Sequence, residues 1–162
     1  MQHLHAYWRQ NYVEAPKRPE QGGKNPFVEI PNNPDEKAAR LIYRGAHNYL
    51  VMNIFPYNAG HLLAVPYREV PSLEAMTQAE RADLMELTLK AQQILTRALK
   101  PDGFNIGMNL GSAAGAGIPQ HVHMHIVPRW QGDTNFMPVL AETKTLTQSL
   151  DTMWERLRAC LD

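Results

Sequence analysis

Short apolar runs punctuated by turn residues fill the chain up to its middle. "ARLIYR" (39–44) and "NYLVMNIF" (48–55) flank the turn Gly45-Ala46-His47, and "HLLAVP" (61–66) follows the turn Asn58-Ala59-Gly60, which predicts a meander of antiparallel strands. The period then changes. Leu84, Leu87, Thr88, Ala91, Leu95 and Ala98 recur at helical spacing, opened by a capping box at Thr77 and Glu80 and stopped at Lys100-Pro101, so a long helix with one face on the sheet is expected. "FNIGMNL" (104–110) reads as a further strand, "GSAAGAGIP" (111–119) as a glycine-rich loop, and "HVHMHIV" (121–127) as the next strand. Leu146, Leu150, Met153, Trp154, Leu157 and Leu161 carry the period of a C-terminal helix. Residues 1–24, rich in Pro, Gly and charge, read as an irregular arm anchored by Tyr7, Trp8 and Tyr12, and residues 25–162 as a single domain. The resulting class is α+β, an antiparallel sheet of about five strands with a long helix packed on it.

The run 121–127 also carries chemistry. In a strand, successive side chains point to opposite faces, so His121, His123 and His125 share one face while Val122, Met124 and Ile126 turn to the core. Three readings are open. The histidines are the polar positions of a half-exposed strand; or they supply metal ligands, with His61, His47, His3 and His5 as further donors and no carboxylate or cysteine beside the run; or they perform phosphoryl chemistry, since a neutral imidazole is a good nucleophile near neutral pH and protonated neighbours stabilise phosphate oxygens. The loop before them matters, because Gly111, Gly115 and Gly117 leave backbone amides open to a close approach by phosphate.

Charge and composition narrow the partners. The 16 acidic and 16 basic side chains cancel, so no whole-molecule field draws the chain to nucleic acid or a membrane surface, and phosphate recognition has to be local. No apolar run approaches the roughly 20 residues of a spanning helix. The first residues lack a secretory signal pattern, and the lone Cys160 excludes an intrachain disulfide, so a cytoplasmic location is expected.

"HVHMH" resembles the defining motif of the histidine triad (HIT) family of nucleotide hydrolases and transferases. "NAGHLLAVP" and "NLGSAAGAGIPQH" are similar to that family's Gly-His strand and its approach to the triad, and "HIVPRWQGDTNF" resembles the branch of fragile-histidine-triad hydrolases and diadenosine tetraphosphate phosphorylases. The resemblance implies a HIT-like fold and a homodimer. It implies nucleotidyl transfer from dinucleoside polyphosphates, with His123 as nucleophile on the α-phosphorus and His121 and His125 orienting it and binding phosphate oxygens. Asn53 would hold the ribose, and Phe27, Ile30, Leu41 and Val51 would enclose the base, although each apolar residue could equally be core. Asn109, Gly115 and the amides of Ala116 and Gly117 would meet phosphate, His61 and Gln120 would support the triad, and Trp130 would wall a second nucleotide or pack at a subunit contact. No cofactor is implied; Mg²⁺ would travel with the substrate. Asn25-Pro26-Phe27-Val28 stands where many bacterial members have Cys-x-x-Cys, so no structural zinc is expected. Hydrolysis of dinucleoside polyphosphates or phosphoramidates, and nucleotide or metal binding without turnover, are the rival functions.

Overall fold

The computed structural model describes residues 25–136 and 148–161. The arm at 1–24, His3 and His5 with it, and Leu146 lie outside them. The chain enters through a short helix α1 (Pro26–Glu29), capped by the Asn25 side chain, which accepts from the Phe27 amide, and continues into a 3-10 turn (Ile30–Asn32). Five strands follow: β1 (Leu41–Arg44), β2 (Asn48–Met52), β3 (Leu62–Pro66), β4 (Gly103–Gly107) and β5 (Met124–Arg129), in the spatial order β1-β2-β3-β5-β4 with every pairing antiparallel. The expected sheet is present, with strands shorter than the runs suggested; "FNIGMNL", for one, pairs only to Gly107. "NYLVMNIF" ends its pairing at Met52, and Ile54 and Phe55 are exposed in the loop around Pro56. "HVHMHIV" becomes regular strand only at Met124; ahead of it the Val122 amide donates to the Val70 carbonyl at 2.7 Å.

The long helix α2 (Gln78–Leu99) starts and stops where its local signals place it. Thr77 Oγ1 accepts from the Glu80 amide, Glu80 Oε2 accepts from the Thr77 amide, and Lys100 closes the helix in the left-handed conformation. Arg68 donates twice to the Glu80 carboxylate, and this pairing, with the Thr77 bonds, pulls the Glu80 pKa down to about 2. Leu84, Leu87, Ala91, Ile94, Leu95 and Ala98 bury their side chains against Ile42, Leu50, Met52, Leu62, Ala64, Val122 and Ile126. Each fully buried leucine or isoleucine contributes roughly 1.5–3 kcal/mol. A second helix end-piece, α3 (Leu150–Arg158), adds Met153 and Leu157 to this core and donates from Trp154 Nε1 to the Leu41 carbonyl at 2.8 Å.

The opposite face of the sheet is covered differently. Phe27, Leu41, Tyr49, Val51, Leu63 and Val65 form a smaller cluster, with Ile30 and Ile118 packed on it. It is this face that carries the histidines.

Candidate active site

His125 is registered opposite Leu63 on β3 and Gly107 on β4, and directly paired residues of an antiparallel sheet share a face. The alternation therefore works as expected: Val122, Met124 and Ile126 pack under α2, and the three histidines meet the Phe27 cluster. The Phe27 ring stands edge-on to His121 at 5.4 Å and lies 4.9 Å from His123. All three imidazoles are buried (0%, 7% and 8% exposed), so this is not a half-exposed strand whose polar positions happen to be histidine.

The hydrogen-bond chain assigns the ring protons. His121 Nε2 lies 2.8 Å from the Pro66 carbonyl, which only accepts, so Nε2 carries the proton and Nδ1 accepts from the Asn25 amide at 2.9 Å. Asn25 Nδ2 also donates to Glu69 Oε2 at 2.5 Å. His123 Nδ1 faces the His121 carbonyl at 3.0 Å and must donate to it. Its Nε2 is then an unprotonated nitrogen with a free lone pair, the form a nucleophile requires. On the far side, the Tyr57 amide donates to His61 Nδ1 at 3.1 Å, so His61 protonates Nε2 and donates to His125 Nδ1 at 2.9 Å. His125 in turn carries its proton on Nε2, a buried donor that meets no protein acceptor among the described residues.

Electrostatics keep the trio neutral. Burial lowers the pKa of all three histidines; for His125 burial and then the neighbouring His123 bring it down to about 4. A neutral imidazole with an unprotonated nitrogen at His123, beside a neutral N–H donor at His125, is an arrangement able to attack phosphorus and to donate to a phosphate oxygen.

Other predicted residues fall into place unequally. Asn53 stands beside the relay, its Nδ2 3.4 Å from His61 Nδ1 and its Oδ1 accepting from the Phe55 amide. Phe27 and Ile30 border the triad face, whereas Leu41 and Val51 are enclosed in the cluster at 0% and 2% exposure. Gly111 and Gly115 adopt positive φ around a 3-10 turn (Ser112–Ala114), and the Ala116 amide points back to the Gly111 carbonyl at 3.4 Å. Gly117 and Gln120 are exposed and Asn109 is half-buried on the same approach. Trp130, half-buried, follows the end of β5, about 16 Å along the strand from His125, and does not join the triad within one chain. Pattern reading missed Asn25, Tyr57 and the Pro66 carbonyl as partners of the histidines. Tyr57 also stacks on His125, ring centroids 5.4 Å apart and 15° from parallel; its place four residues before His61 was the available signal. Among the described residues, no group of three or more His, Cys, Asp or Glu side chains is arranged to hold a metal ion, and no helix is long and apolar enough to cross a membrane.

The chain is similar to known proteins in both sequence and fold. The HIT domain family model matches residues 34–132, more than half of the chain, and the protein belongs to the histidine triad family. Among relatives, the protein named AP-4-A phosphorylase in Mycobacterium tuberculosis is 42% identical over 155 residues, covering 93% of this chain and 79% of that one. The asymmetrical bis(5'-nucleosyl)-tetraphosphatase of Schizosaccharomyces pombe is 36% identical over 95 residues, 59% of this chain and 52% of that one. In fold, the chain is similar to a histidine triad nucleotide-binding protein from Sulfolobus tokodaii, with a TM-score of 0.67 at 21% identity over 83% of this chain and 90% of that one.

Proposed function

We propose that this protein transfers a nucleotidyl group from diadenosine tetraphosphate or a similar dinucleoside polyphosphate to inorganic phosphate. The observation that carries the reading is the tautomer of His123, whose Nδ1–H is held by the His121 carbonyl so that Nε2 is left as the nucleophile. Nε2 attacks the α-phosphorus, a P–N bond forms, and the P–O bond to the departing ATP breaks. A phosphate oxygen then attacks the same phosphorus, the P–N bond breaks and ADP leaves. His125 Nε2–H donates to an equatorial oxygen in both steps, and His121 fixes the carbonyl that orients His123. Asn53, beside His61, takes the ribose hydroxyls; Phe27 and Ile30 line the base; Asn109 and the Gly115–Gly117 loop meet the polyphosphate, with Mg²⁺ arriving on the substrate.

Phosphate as acceptor is supported by the 42% identity to AP-4-A phosphorylase across nearly the whole chain. Water as acceptor is the second reading, supported by the likeness to the tetraphosphatase over a shorter stretch. Incubation with diadenosine tetraphosphate separates them: ATP and ADP formed only with added phosphate is the expected result, and ATP and AMP formed regardless of phosphate would replace it with hydrolysis.

The active form is a homodimer on this reading. β4 is an edge strand exposing Ile106, Leu89 on α2 lies by Phe104 of that strand, and Met85 on the same helix is exposed too, apolar side chains that fit a second copy better than water. Ile106→Lys is expected to shift the solution mass to that of a monomer. A cytoplasmic location fits the lone cysteine.

A further inference from the structure

Beyond the triad, a polar chain runs from the far end of β5 to His61. Asp133 is buried at its side chain (7% exposed) and accepts from Arg129 Nε and Nη2 at 2.6 and 2.8 Å. Arg129 also donates to Asn105 on β4 at 2.5 Å, and the Trp130 amide donates to Asp133 Oδ2 at 3.1 Å. The paired guanidinium holds the Asp133 carboxyl well below its usual range. One further donor reaches this carboxylate from a distant part of the chain. Asn58 Nδ2 donates to Asp133 Oδ2 at 2.7 Å and to the Pro128 carbonyl at 3.1 Å.

Asn58 belongs to the turn that delivers His61. Its carbonyl accepts from the His61 amide at 3.2 Å, and the residue before it supplies the Tyr57 N–H that occupies His61 Nδ1. The same turn is held from the other side by Gly60, at φ +80°, where a Cβ would come within 2.4 Å of Leu99 on α2. Turn position and ring proton are therefore linked. With the Tyr57 amide in place, His61 has to donate from Nε2, and His125 has to keep its proton on the nitrogen that faces substrate. If the turn moves, only the longer Asn53 Nδ2 contact at 3.4 Å still opposes a proton on His61 Nδ1; with the proton there, Nε2 becomes an acceptor, His125 turns its own proton inward to Nδ1, and the donor to phosphate is lost.

We infer that Asp133, through Asn58, is a positioning residue that selects the tautomer of His61 and so the hydrogen-bond donor that His125 presents to substrate. This inference rests on the nucleotidyl-transfer reading for its kinetic consequence, though not for its spectroscopic one. Without substrate, long-range ¹H–¹⁵N spectra of the wild type are expected to show His61 and His125 each as a single Nε2–H tautomer.

In Asp133→Ala, both rings are expected to become tautomer mixtures, and kcat on diadenosine tetraphosphate to fall about 10–100-fold with KM changed less than about threefold. Asp133→Asn retains an acceptor for Asn58 and is expected to recover most of the loss. In a His61→Ala background, Asp133→Ala should cost little more, because both changes remove one interaction chain. Asn58→Ala keeps the Arg129–Asp133 pair and reports on the same link should Asp133→Ala fail to fold. Wild-type tautomers in the folded Asp133→Ala or Asn58→Ala protein, or losses that multiply with His61→Ala, would overturn the inference. A wild type inert toward dinucleoside polyphosphates would instead strike the assigned activity, and the spectra would still decide the part played by Asp133.

Discussion

The two faces of one sheet are built by opposite means. Under α2 the side chains are almost wholly apolar and interlock without polar partners, as Leu50, Leu62, Ile94, Leu95 and Ile126 do. On the other face a smaller cluster around Phe27, Tyr49 and Leu63 is packed against imidazoles, four of whose six nitrogens are matched to Asn25, the Pro66 carbonyl, His61 and the His121 carbonyl, leaving Nε2 of His123 and of His125 for a ligand. Period-two alternation makes this division possible, because each residue of β5 is assigned to one face without disturbing the other. The lesson is that burial serves two ends: on the helix face it supplies stability, and on the histidine face it removes solvent from groups whose proton positions have to be defined.

The largest effect separating the faces is expected at His123. His123→Asn removes the proposed nucleophile and should lower turnover by roughly 10⁴-fold or more, while the thermal midpoint stays within a few degrees; retained turnover would refute the covalent route. Ile94→Ala is the mirror change. It should cost about 2–5 kcal/mol of stability, read from chemical unfolding, with turnover per folded molecule close to that of the wild type.

Acid should tell the faces apart more gradually. The triad histidines have folded pKa values lowered from 6.5, so the unfolded chain binds more protons below about pH 6.5 and stability is lost as pH falls from there toward 4. For Glu80, lowered to about 2 from 4.5, the contribution is fully present above about pH 4.5 and is lost progressively as pH falls from there to about 2. Unfolding midpoints followed from pH 7 to 4 are thus expected to fall in the wild type and to fall less in a His121→Asn, His123→Asn, His125→Asn triple variant. The acid limb of kcat/KM, which requires neutral His123, is expected below pH 6.5. The smallest change is Thr77→Ala, which should cost about 1 kcal/mol through the lost cap and leave the kinetics alone.

Legibility in the sequence followed the range of the contacts. Both ends of α2 were readable because the capping box and the Lys100 stop are local, and the triad was readable because alternation is a property of adjacent residues. Asn25, which meets a histidine 96 positions away, and Asn58, which meets an aspartate 75 positions away, leave no local trace. Leu41 and Val51 show a different limit: β2 is buried throughout its length, and an apolar run of that kind looks the same whether it walls a ligand or fills a core. Helix α1 was overlooked because its four residues are too few to establish a period.

At Gly60 the Leu99 side chain from the end of α2 packs so closely onto the turn leading to His61 that a Cβ there would come within 2.4 Å of it. Helix ends are the first parts of a helix to loosen on warming. Loosening there reaches the relay while the rest of α2 is still wound, so heat is expected to silence the enzyme at a lower temperature than the one at which its helical signal melts, and cooling from between those temperatures should restore it.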